Sequence, residues 1–178
     1  EKNCELVRRA GYDPLIVDVR CFALRNILKT YEDAESSKTQ VFIEISGQEN
    51  YAVCMFDGLP FIYDIYVSEA DVASIVKGGA ALNKELFSRL ASQLRTSVTS
   101  FIKQSGVPGI DKIEFSSSLS FADKIYKSLK AEIVEYKIEM MNPFTFIEIP
   151  AQFKSRIATE KNQSSLAVAI GLATRQLD

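Results

Sequence analysis

The stretch "KIEFSSSLSFADKIYKSL", Lys112 to Leu129, has the outline of a β-strand, a tight loop and an α-helix, an arrangement many proteins use to hold a nucleotide. Its turn holds Ser116, Ser117 and Ser118, where such a loop normally carries glycines. Glycine lets the backbone come within hydrogen-bonding range of phosphate or ribose and adopt φ > 0 at little cost. Serine adds a Cβ and a hydroxyl, which narrow the cleft and disfavour that geometry. The loop therefore separates two readings: a nucleotide-binding protein, or one that keeps the frame without the ligand.

Downstream, "EIVEYKI" (Glu132 to Ile138) reads as the last strand of a sheet, and "NPF" (Asn142 to Phe144) opens an irregular segment, because Pro143 disfavours helical geometry at Asn142. A final helix is expected from Ser164 to Arg175. Upstream, Leu82, Leu86, Leu90, Leu94, Val98 and Phe101 recur at three to four residues, the stripe of a long core-packing helix that Gly106-Val107-Pro108-Gly109 ends. Ser68 with Glu69 and Asp71 starts a shorter helix, interrupted at Gly78-Gly79. Before it come three strands, "VFIEIS" (Val41 to Ser46), "NYAVCMF" (Asn50 to Phe56) and "PFIYDIYV" (Pro60 to Val67), joined by hairpin-sized connections, with Asp57-Gly58 supplying tolerance for φ > 0. "EDAESSKTQ" (Glu32 to Gln40) reads as a surface loop. At the start, a helix from Cys4 to Ala10 ends at Gly11, and "PLIVDV" (Pro14 to Val19) resembles a buried parallel strand. A helix with Phe22, Leu24, Ile27 and Leu28 at helical spacing follows at once. The prediction is an α/β fold: a mixed five-stranded sheet, made of an antiparallel three-strand meander plus parallel strands, with flanking helices.

Composition narrows the function classes. The 178 residues, 47% hydrophobic, suffice for one sizeable core. A net charge of −2, with the Lys and Arg scattered among Asp and Glu, offers no basic face for nucleic acid. The longest apolar run, "LAVAIGLA" (Leu166 to Ala173), is far short of the roughly 20 residues that cross a bilayer, so no direct membrane insertion is expected. The opening "EKNCELVRRAG" is charged and unlike a signal peptide, and because residue 1 is Glu rather than Met the reading leaves an upstream lobe open. Cys4, Cys21 and Cys54 are unpaired by spacing and fit a reduced, cytosolic compartment. With no histidine, Ser-His-Asp and Cys-His catalysis and most zinc sites are excluded.

The order of these elements resembles one lobe of the actin-like ATPase fold (ribonuclease H-like), and specifically the C-terminal lobe of the type IV pilus assembly family PilM, relatives of the cell-division protein FtsA. The likeness covers nearly the whole chain. "AGYDPLIVDVRCFALRNIL" is similar to a family stretch in which "AGL" precedes a strand, "VVDVE", and an "FAL" helix; "MNPF" matches "ANPF"; and "LAVAIGLATRQLD" resembles a terminus closing on "GLALR" and an aromatic-Asp pair, with Leu177 in place of the aromatic. The departures fall on the nucleotide motifs. Where the family carries "DIGA", whose Asp and Gly approach phosphate and metal, this chain has Glu44, Ile45, Ser46 and Gly47, and the family's adenosine-loop "GG" is replaced by Ser116-Ser117-Ser118. Gly78-Gly79 lies too late to equate with the family's other Gly-Gly, and the small subdomain, near residues 68–80, is reduced. The family's nucleotide site also draws on the facing lobe.

The resemblance implies a single lobe over residues 1–178 that serves as a non-catalytic scaffold of type IV pilus or type II secretion-like biogenesis. Such a scaffold docks the tail of a PilN-type membrane partner at the cytoplasmic face of a bacterial inner membrane. Neither a cofactor nor a metal is expected, and Glu44, Gly47, Ser116, Ser117 and Ser118 are read as a degenerate nucleotide site. The alternative is an ATP-binding actin-like protein of the PilM/FtsA type; a homodimer formed through the meander is a third reading. On the residues alone, Ser116 to Ser118 form a polar loop whose last serine caps the next helix. Glu44 is expected at a solvated or edge position rather than in a metal site with Asp57 and Asp64, and Cys54, Tyr51, Tyr63 and Tyr66 are expected to pack.

Overall fold

Asp57 and Gly58 take φ of 51° and 71°, the two left-handed residues that a two-residue type I′ hairpin requires. They join β2 (Asn50–Phe56) to β3 (Leu59–Asp64), with Phe56 opposite Leu59. Counting back from the turn, Met55 and Pro60 form a wide pair, so the Pro60 nitrogen faces away from β2 and its missing N–H leaves the ladder intact. β1 (Gln40–Ile45) runs antiparallel to β2 and parallel to β4 (Lys112–Ser116), which in turn is parallel to β5 (Ile138–Met140). The five-stranded order is β3-β2-β1-β4-β5, the expected meander plus parallel strands. The structure, a computed structural model, describes residues 2–13, 19–34, 39–47, 49–77, 80–145, 147–158 and 163–175.

β1 is central, and all six of its residues are buried because helices cover both faces of the sheet. On one face Val41, Ile43, Ile45, Ile113 and Phe115 lie beneath α4 (Ala80–Ser105) and α5 (Ala122–Glu132). Leu86, Leu90, Leu94, Val98 and Phe101 of α4 are buried there, as the stripe predicts, and α4 stops where Gly106 takes φ of 75°. On the other face Phe42, Val53 and Met55 pack against Leu24, Ile27 and Leu28 of α2 (Arg20–Ala34) and Ala167 of α7 (Ala167–Ala173). α1 (Lys2–Arg9) precedes these elements. α3 (Glu69–Lys77) opens with a reciprocal cap: Ser68 Oγ accepts the Asp71 N–H at 3.1 Å and the Asp71 carboxylate accepts the Ser68 N–H at 2.8 Å.

Several boundaries differ from the sequence reading. The last strand is Ile138–Met140 rather than Glu132 to Ile138. Ile125, Leu129 and Ile133 are spaced by four and all buried, so the core holds this segment as a helix through Glu132; the Ile133 N–H still bonds the Leu129 carbonyl at 2.8 Å. α2 runs to Ala34, taking in the start of the expected loop, and Gln40 already belongs to β1. An unforeseen α6 (Ala151–Ala158) follows the Asn142 to Phe144 turn, and the final helix begins as a 3-10 turn (Gln163–Leu166). Tyr51 and Tyr63 are half-buried, whereas Tyr66 lies beyond the end of β3, 67% exposed, with the Arg89 guanidinium over its ring. The expected strand at Pro14 to Val19 and the Gly78-Gly79 break fall on residues 14–18 and 78–79, outside the described residues.

The α2–α7 contact explains the glycine within "LAVAIGLA". A Cβ on Gly171 would lie 2.0 Å from the Ala23 carbonyl oxygen, and Asn26 Nδ2 donates to the Gly171 carbonyl at 2.9 Å. The two backbones touch, and only glycine permits it. Gly171→Ala is expected to destabilise the fold by about 1–3 kcal/mol. Urea unfolding checks this, and an unchanged midpoint would contradict the contact.

Candidate functional site

β1 and β4 run parallel with Glu44 opposite Ser116, so the two side chains share the α2 face of the sheet. Glu44 is 1% exposed, against the expectation of a solvated or edge position. The reason is topological: β1 has a strand on each side and a helix layer on each face, which an alternation pattern in one strand does not reveal. Its carboxylate accepts hydrogen bonds from the Ser116 hydroxyl and from Arg20 Nη2, the latter at 3.0 Å. Ser116 Oγ also lies 3.0 Å from the Ser164 carbonyl oxygen. One hydroxyl proton serves one of these acceptors at a time. Burial raises the Glu44 pKa above the ordinary carboxylate range, with Ser116 and Arg20 opposing the shift.

The neighbouring backbone donors are turned inward. Gly47 takes φ of 92°, and its N–H, with that of Ser46, bonds Asn50 Oδ1 at 2.9 Å and 3.0 Å. Ser117 is fully buried; its hydroxyl donates to the Ile45 carbonyl at 2.6 Å and accepts the Leu119 N–H at 3.2 Å, while its own N–H reaches Ser164 Oγ at 3.4 Å. A Cβ on Gly47 would make ordinary contacts with Val72 of α3 at 3.5 Å and Leu119 at 3.6 Å, so the positive φ rather than crowding favours glycine there. Among the described residues only Asp57 combines a side chain with positive φ, so the serine loop lies in ordinary backbone conformations.

Ser118 is exposed and does not cap α5, contrary to expectation. Phe121 is the N-cap residue and makes no side-chain cap bond, because a turn at Leu119 to Phe121 separates the serines from the helix. Thus Glu44, Gly47, Ser116 and Ser117 converge at one end of the sheet while Ser118 points elsewhere in role. Asp57 sits in the hairpin at the other end, and Asp64 stands two strands from Glu44, opposite Tyr51. Among the described residues no three His, Cys, Asp or Glu side chains come together. Cys54 is fully buried, and burial pushes its thiol pKa up, as a packing residue requires.

Three participants escaped the sequence reading. Asn50 and Ser164 carry no local signal. Arg20 does: a cation in the first turn of a helix opposes the dipole, so its placement there needs a partner elsewhere.

The mixed five-stranded sheet with helices on both faces is an α/β architecture. No family model matches the chain, and no curated protein matches it. Among solved structures it is similar to a PilM-PilN type IV pilus biogenesis complex, with a TM-score of 0.60 at 15% identity, over 97% of this chain and 56% of that one. The fold is therefore PilM-like, and the chain spans little more than half the length of that structure. Among the described residues no helix is long and apolar enough to cross a membrane.

The electrostatics give a signed test. Glu44 and Glu114, the latter raised by burial with Lys112 at 2.6 Å opposing, are both easier to protonate when folded. Their stabilising share is present at low pH and is lost as pH climbs past the ordinary carboxylate range. Glu135 beside Arg95 and Glu139 beside Lys137 are held low and act in the opposite sense, so the comparison must be made against a variant. Melting of the wild type relative to Glu44→Gln is expected to fall as pH is raised from about 4 to about 8. A constant difference would contradict the upward shift.

Proposed function

We propose that this chain is a non-catalytic scaffold of type IV pilus biogenesis, or of a type II secretion-like machine. It works as the C-terminal lobe of a PilM-like protein at the cytoplasmic face of a bacterial inner membrane. Its partners are other assembly proteins, among them a PilN-like membrane protein whose tail the complete scaffold holds. The work is recognition by grooves and sheet edges without bond-making chemistry. The fold likeness supports the pilus setting.

One observation supports the non-catalytic part. The Ser46 and Gly47 N–H groups bond Asn50, and the Ser117 N–H reaches Ser164 Oγ at 3.4 Å, so these three amides already have internal acceptors. A phosphate site needs such donors directed at the ligand. Turning these amides toward a ligand would break the internal bonds they make to Asn50 and Ser164.

Thermal melting with and without millimolar Mg-ATP tests the reading. No upward shift is expected; ligand at about 100 times its Kd would add about 2.7 kcal/mol and be plain in the melt. Such a shift would turn the assignment to an ATP-binding actin-like protein. In parallel, a synthetic PilN-type cytoplasmic tail titrated calorimetrically into the complete gene product is expected to bind, with a scrambled peptide as control. Silence in that titration would remove the proposed partner.

A further inference from the structure

Backbone groups along β3 alternate between the sheet and the outside, and bonds just past its end fix the phase. The Ile65 N–H bonds the Asn50 carbonyl of β2 at 2.9 Å, so Ile65 faces inward. Tyr66, next in line, faces outward, and the Gln93 side chain of α4 meets it as a neighbouring strand would. Gln93 Oε1 accepts the Tyr66 N–H at 2.8 Å, and Nε2 donates to the Tyr66 carbonyl at 3.2 Å. Asp64, Ile62 and Pro60 are therefore the outward residues of β3 itself. Pro60 has no N–H to offer, and Tyr66 has both groups engaged. Between these two stops, Ile62 and Asp64 keep their N–H and C=O groups without a hydrogen-bond partner among the described residues.

We propose that this short segment pairs with the same segment of a second copy of the chain, antiparallel, about a two-fold axis at Tyr63. Ile62 then lies opposite Asp64 of the second copy and exchanges both bonds with it, and the symmetry repeats the exchange across the axis. Pro60 falls opposite Tyr66 of the second copy. The N–H that proline lacks would have gone to the Tyr66 carbonyl, which Gln93 already serves. The two rows thus end at the same place, and only the Pro60 carbonyls are left to water. An axis at Ile62 instead sets the Asp64 carbonyl opposite the Pro60 nitrogen, where it finds no donor. A longer unrelated strand brings N–H and C=O groups opposite Tyr66, where none is free to receive them. The side chains agree with the axis at Tyr63. Asp64 meets Ile62 rather than another Asp64, so like charges do not face each other, and Tyr63 meets Tyr63 in a wide pair, where side chains stand closest. The inference is independent of whether the lobe holds nucleotide and of any PilN-like partner.

Sedimentation of the complete gene product over about a hundredfold range of concentration reads the association directly. A mass that climbs toward that of a dimer is expected, and a strict monomer throughout overturns the proposal. Asp64→Pro deletes one outward N–H and no bond to β2, and is expected to weaken the dimer by about tenfold or more, with circular dichroism reporting the fold. A folded Asp64→Pro that dimerises like the wild type also overturns it. The axis is tested by cross-linking in a Cys4→Ser/Cys21→Ser background, in which Cys54 is buried. Tyr63→Cys is expected to form an intermolecular disulfide with diamide as oxidant, because a wide pair holds its Cα atoms about 4.5 Å apart. Asp64→Cys, set off from the axis, is expected to cross-link far more slowly. Cross-linking at Tyr63→Cys that is absent, or no faster than at Asp64→Cys, overturns the pairing. Should Asp64→Pro or Tyr63→Cys fail to fold, the other decides.

Discussion

A glutamate without access to water, placed in the middle strand of the sheet, sets the terms for everything around it. Burying a carboxylate is costly unless charge and hydrogen bonds accompany it into the interior. Here the companions come from four places: Arg20 from α2, Ser116 from β4, Ser164 from the 3-10 turn behind Ser116, and the covering helix layer itself. Each is distant from Glu44 in sequence, and each fixes one element against the sheet. The cluster therefore ties the N-terminal helix, the parallel strand and the C-terminal segment into one polar joint amid apolar packing.

That joint sits where the fold brings two loops together, and the same residues decide what the loops can offer. Serine hydroxyls at Ser116 and Ser117 bond to the chain itself, and the Asn50 side chain gathers the amides of the β1–β2 turn. A surface that would otherwise be a cradle of donors is satisfied internally. The opposite face of the sheet is apolar and conventional, with α4 and α5 supplying the packing. One face thus holds the fold together by burial and the other by a mixture of burial and polar ties.

Much of the architecture was legible because its signals are local. Asp57-Gly58 marks the hairpin, "KIEFS" begins and ends at the residues that pair, and the Leu86 to Phe101 stripe is wholly buried. What failed depended on neighbours that no short window contains. "EIVEYKI" alternates like a strand, yet Leu129 and Ile133 meet the core as successive turns of a helix. Glu44 looks solvated until strands are placed on both its sides, and Ser118 looks like a cap until the extra turn at Leu119 intervenes. Of the candidate site, four of the five named residues converge, but the groups that neutralise them, Arg20, Asn50 and Ser164, come from other elements and were not foreseen.

Pro60 gives the rim of the sheet an unequal character. The outward row of β3 presents carbonyls at Pro60, Ile62 and Asp64, but hydrogens only at the last two, since the ring nitrogen has none. A further strand laid antiparallel along this rim, including one from another copy of the same molecule, meets a gap beside the hairpin tip and finds its full complement only toward Asp64. The border is thereby graded along its length, closed to zippering at one end and receptive at the other, by the placement of a single imino acid.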